Sequence, residues 1–89
     1  MDPLVANTIS LDQLPEAGRA TVTGVEVPAD PAARTLALRL LELGFVPGEQ
    51  VHMVRVVHPS GEPLAVRLDH TTFALRRSEA VLIQVIPVA

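Results

Sequence analysis

Three histidines, His52, His58 and His70, are the side chains best suited to hold a metal ion. Imidazole nitrogens and carboxylate oxygens together suit zinc or ferrous iron. His52 and His58 stand about 20 Å apart along one extended segment, too far to share an ion. A hairpin, however, folds Asp69 and His70 back toward His52. The candidate site for a weakly held Fe2+ or Zn2+ is therefore His52 with Asp69 or His70. Two ligands are too few for tight binding, and a symmetric homodimer could complete the set. The alternative is three solvated surface histidines.

Other chemistry is thinly represented. Arg39 and Glu42 sit three apart on one helix, a spacing that gives either an exposed ion pair worth a few tenths of a kcal/mol or part of a partner-recognition face. The chain carries no G-x-S-x-G, no G-x-x-x-x-G-K-[ST] and no H-E-x-x-H. It has no cysteine, hence no disulfide framework, thiolate metal site or Cys nucleophile. We expect no catalysis and no required cofactor. A net charge of −3 argues against nucleic acid as a partner, and the absence of Trp and Tyr removes base-stacking platforms. No apolar run approaches the roughly 20 residues that span a bilayer, and the start Met1-Asp2-Pro3-Leu4 lacks the basic and apolar regions of a signal peptide. The expectation is a cytoplasmic domain without direct membrane insertion.

The elements that position these residues follow from turn and cap signals. Eighty-nine residues, 48% of them hydrophobic, suit one domain (residues 10–89) preceded by a loose arm (residues 1–9) in which Leu4, Val5 and Ile9 are the side chains able to dock. Thirteen valines and only two aromatics, Phe45 and Phe73, predict an aliphatic core. Ser10-Leu11-Asp12-Gln13 matches a capping box, and Pro15 limits it to one turn that points Leu11 and Leu14 inward. A strand follows over Arg19–Val27. Its alternation slips at Gly24, which predicts a bulge.

Asp30-Pro31 starts the main helix as N-cap and N1. Ala33, Leu36, Ala37, Leu40, Leu41 and Leu43 form its apolar arc, opposite Arg34, Thr35, Arg39 and Glu42. Leu38 lies among the charged residues and is the candidate partner contact on this helix. Gly44 ends it, and Pro47-Gly48 turns the chain. Strands over Gln50–His58 and Pro63–Leu68 form a hairpin around Pro59-Ser60-Gly61-Glu62. The first is apolar on both faces near Val54, Val56 and Val57, as where a strand bends. A turn at Asp69-His70-Thr71 leads to Thr72–Leu75, then a short turn capped by Ser78, then a last strand over Val81–Val88. That strand shows Val81, Ile83 and Val85 on one face, and Pro87 assigns its end to a sheet edge. The fold class is mainly β: a small SH3-like β-barrel of about five strands with an inserted α-helix and short helical turns.

Arg39-Leu40-Leu41-Glu42-Leu43-Gly44-Phe45-Val46-Pro47-Gly48 resembles the R-L-x-E-L-G-h-x-P-G signature (h apolar) of the FeoA-like family, small cytoplasmic accessories of bacterial ferrous iron uptake. Leu11, Leu14 and Gly18 resemble its opening L-x-x-L-x-x-G. Pro63-Leu64-Ala65-Val66, Ala74-Leu75-Arg76 and the run from Ala80 to Val85 resemble its later strands. The resemblance covers Ser10 to Val88, departing in the longer arm and the polar hairpin tip. It implies an SH3-like barrel and a partner, the FeoB-type ferrous iron transporter with its cytoplasmic GTP-binding region. The docking face would lie on the helix and corner, with Leu38, Arg39, Glu42 and Phe45 as candidate contacts; Phe45 also suits the core. A related barrel closes DtxR-type repressors, so a metal-responsive regulatory or peptide-binding module is the alternative.

Overall fold

The computed structural model describes residues 7–56 and 61–88. Residues 1–6 of the expected loose arm, with the alternative that Leu4 and Val5 dock, the strand end at Val57-His58 and the hairpin tip at Pro59-Ser60 lie outside the described residues. Six strands run in chain order with one long helix: β1 (Ile9–Ser10), β2 (Arg19–Val25), α1 (Pro31–Leu43), β3 (Gln50–Val56), β4 (Leu64–Leu68), β5 (Thr71–Leu75), a one-turn helix α2 (Arg77–Ala80) and β6 (Ile83–Val88). A 3-10 turn at Leu11–Gln13 joins β1 to β2. All strand pairs are antiparallel, in the order β1-β6-β2-β3-β4-β5.

Two register shifts bend this sheet. One falls between Val22 and Gly24, at the expected phase slip, and the other between Met53 and Arg55, where the sequence is apolar on both faces. Each extra residue kinks its strand and increases the local twist, so the sheet wraps its inner face around one core. Alternation decides which side chains enter it. Ala20, Val22, Val51, Met53, Leu64, Val66, Leu68, Ile83 and Val85 face inward, joined by Leu11 and Leu14 from the 3-10 turn and by Ala37 and Leu40 from α1.

Several local expectations change. Ile9 is not part of the arm: it pairs with Val85 as the edge strand β1 and packs on the core. Ser10 precedes the 3-10 turn without capping it, because its hydroxyl donates to the Asp12 carboxylate instead. The cap of α2 is Arg76, not Ser78, and the Glu79 carboxylate accepts from the Arg76 N–H at 2.8 Å. Val81 belongs to the end of that turn and is exposed, so β6 begins at Ile83. Pro87 lies in an inner strand of the order, where it stands opposite Ala20 of β2, and among the described residues β1 pairs with Gln84 and Val85 and not with Pro87.

Candidate interaction surfaces

The helix-to-sheet corner is built by backbone geometry. Asp30 Oδ2 accepts from the Ala33 N–H at 3.0 Å, and Pro31 takes the position where its missing N–H costs no bond. At the other end Gly44 is left-handed, at φ 115°. The Gly44 N–H donates to the Leu41 carbonyl at 3.1 Å and the Phe45 N–H to the Leu40 carbonyl at 3.2 Å. This double closure is a Schellman motif, and its customary apolar contact is supplied by Leu40 and Phe45, both buried. The Glu49 N–H returns to Val46 at 3.1 Å across Pro47-Gly48. The Gly48 N–H and Val22 carbonyl, and the Val22 N–H and Glu49 carbonyl, each at 2.8 Å, then clip the turn to β2.

This geometry sorts the expected contact residues. Phe45 is 0% exposed and stacks tilted against Phe73, ring centroids 5.5 Å apart, so it is a core residue and cannot itself touch a partner. Leu38 is 42% exposed and does stand on the outer side of α1. Arg39 and Glu42 are exposed, yet they form no ion pair: among the described residues the ion pair found is that of His70 Nε2 with Asp69 Oδ1, at 3.6 Å. The corner exposes two further apolar side chains. Leu43 is 38% exposed and Val46 37%, and both border a shallow concavity of about 310 Å3 shared with Phe73, Leu68 and Thr71.

The histidine site assembles only in part. His52 and Asp69 line one concavity of about 660 Å3, but His70 does not, and its side chain is 96% exposed. Among the described residues no group of three His, Cys, Asp or Glu is arranged to hold a metal ion. The cross-strand neighbours of His52 give an electrostatic reason: it faces Arg19 on β2 and Arg67 on β4, whose guanidinium charges oppose a dication. These two arginines were not among the expected site residues. Their outward phase was readable from alternation, but their alignment with His52 depends on strand register. The side chains of these two arginines and of His52 make no hydrogen bond or ion pair with another described residue.

No helix among the described residues is long and apolar enough to cross a membrane. The chain is similar to the FeoA protein of Stenotrophomonas maltophilia solved in complex with zinc, a prokaryotic SH3-domain protein suggested to activate bacterial ferrous iron transport. The two share 45% identity over 86% of this chain and 88% of that one, with a TM-score of 0.74. An FeoA-like protein from Clostridium acetobutylicum matches at 26% identity over 93% of this chain and 90% of its own, TM-score 0.78. The IdeR protein of T. acidophilum shares the fold alone: 15% identity over 91% of this chain and 34% of its own, TM-score 0.70. The six antiparallel strands with an inserted helix are thus the expected SH3-like architecture. With the FeoA domain family matching residues 9–87, from β1 into β6, the chain belongs to the FeoA family.

Proposed function

We propose that this protein is a non-enzymatic, cytoplasmic accessory of bacterial ferrous iron uptake that docks on the FeoB-type transporter through its GTP-binding region and modulates it. The observation that carries this reading is the family match over residues 9–87, supported by the activating role suggested for the relative from Stenotrophomonas maltophilia. The docking face is the outer side of α1 continued around the corner. Leu38, Leu43 and Val46 supply its apolar contacts, with Arg39 and Glu42 as polar surroundings. Apolar anchors within a polar rim are the usual anatomy of such a surface. Phe45 contributes from beneath by holding the corner in shape.

Binding of the purified transporter GTP-binding region to immobilised protein tests this, measured by interferometry. Leu43→Glu with Val46→Glu should weaken capture at least tenfold, and Leu38→Glu several-fold. Unaltered capture by the triple variant would overturn the assignment of this face.

A further inference from the structure

The larger concavity runs across β2 and β3 to Arg67 on β4 and reaches the Gly48-Glu49 turn. In the paired register Arg19 stands opposite His52, and His52 opposite Arg67. Directly opposite residues in antiparallel strands share a face, so the three form one row across β2, β3 and β4. Val88, opposite Arg19, extends the row onto β6 and lines the same concavity. The chain has no lysine: its seven cationic side chains are all arginines, and two of them flank one histidine here. In a molecule of net charge −3 neither arginine of this row is paired with a described residue, while the acidic side chains of the same concavity, Glu49 and Asp69, stand toward the Gly48 turn rather than in the row.

We propose that the Arg19–His52–Arg67 row binds an extended acidic peptide segment. Arginine presents a planar donor fork matched to a carboxylate. Neighbouring strands lie about 4.8 Å apart, so the two arginine Cα atoms stand about 10 Å from one another. Successive side chains of an extended chain alternate in direction, so acidic residues two apart face the sheet together at a spacing of about 6.6 Å, and the long arginine side chains converge to meet them. A segment crossing the strands therefore places one carboxylate on each arginine and lays its backbone over His52. Val88 meets an apolar side chain at one end. At the turn end Glu49 and Asp69 line the concavity and repel a ligand that slides toward Pro47-Gly48, which fixes where the segment stops. The row adjoins the corner, since Glu49 and Asp69 line both concavities, but Arg19, His52 and Arg67 are not among the residues of the α1 docking face.

Amide shift mapping of the 15N-labelled full chain at low ionic strength tests the proposal, with an end-capped hexaglutamate peptide as one probe and inorganic phosphate as the other. Saturable shifts centred on Arg19, His52 and Arg67 with the peptide are expected. Arg19→Ala with Arg67→Ala should weaken peptide binding at least tenfold. Arg34→Ala with Arg39→Ala, on α1, should change it less than twofold, and Glu49→Gln with Asp69→Asn should tighten it. Equal shifts at Arg34 and Arg39, or unchanged binding by the Arg19/Arg67 variant, would overturn the site. Phosphate saturating the same amides at least as tightly as the peptide would overturn the peptide assignment.

Discussion

The two surfaces of this protein are built in opposite ways. The corner is contiguous: residues 39–48 carry a helix end, a buried aromatic and a turn in one run. The arginine-histidine row is assembled from three strands, with Arg19, His52 and Arg67 separated by more than thirty and then fifteen positions of chain. At the corner, residue types are dictated by backbone conformation and core packing, so a change there falls first on stability. In the row the side chains of Arg19, His52 and Arg67 are outward and unpaired with described residues, so a change there leaves the fold alone and, on our proposal, falls on binding.

Mutations that separate these two kinds of effect should follow that order. Phe45→Ala removes a fully buried ring stacked on Phe73 and should cost about 3–5 kcal/mol, read as a large fall in the urea midpoint. A midpoint close to that of the parent would show that the corner is not part of the cooperative core. Gly44→Ala should cost about 1–2 kcal/mol, because a Cβ at φ 115° is strained and would also stand 3.1 Å from Leu68 Cδ2. Asp30→Ala, which removes the acceptor for the Ala33 N–H, should cost about 1 kcal/mol by the same measurement.

Gly24→Ala sharpens the contrast. An added Cβ there meets nothing within 4 Å, so the substitution should be neutral or stabilise by up to about 1 kcal/mol, although Gly24 sits at a register shift. A loss above 1 kcal/mol in the thermal or urea transition would show that the bulge itself requires glycine. At the small end, Arg67→Ala should shift stability by no more than about 0.5 kcal/mol while weakening capture of an acidic peptide. A clear loss of stability would place Arg67 among the structural residues and blur the distinction.

Residue types and short-range spacing made much of the fold legible. Asp30-Pro31 and Gly44 bounded α1 correctly because caps are satisfied within four residues of the helix end. Alternation named the inward residues of β2 and β4, and the slip at Gly24 announced the first bulge. Where two local signals competed, the reading failed. Ser10 and Ser78 both carry cap-forming hydroxyls, yet Ser10 turns to Asp12 and Arg76 occupies the cap of α2. Ile9 had no periodic neighbours to identify it as a strand, since a two-residue strand exists only through its partner β6.

The sequence by itself determined the SH3-like class, the inserted helix, the aliphatic core and the stop at Gly44, because each rests on contacts between residues close in the chain or on the phase of one element. Only the tertiary structure decided that Phe45 is sealed from solvent, that Leu43 and Val46 emerge at the corner, and that His52 lies between two arginines rather than within a carboxylate-histidine trio. The exposure at the corner depends on how the sheet packs over Phe45, and the setting of His52 on which residue of one strand stands opposite which residue of the next. A one-residue shift in that pairing sends every side chain to the other face, and local spacing does not set it.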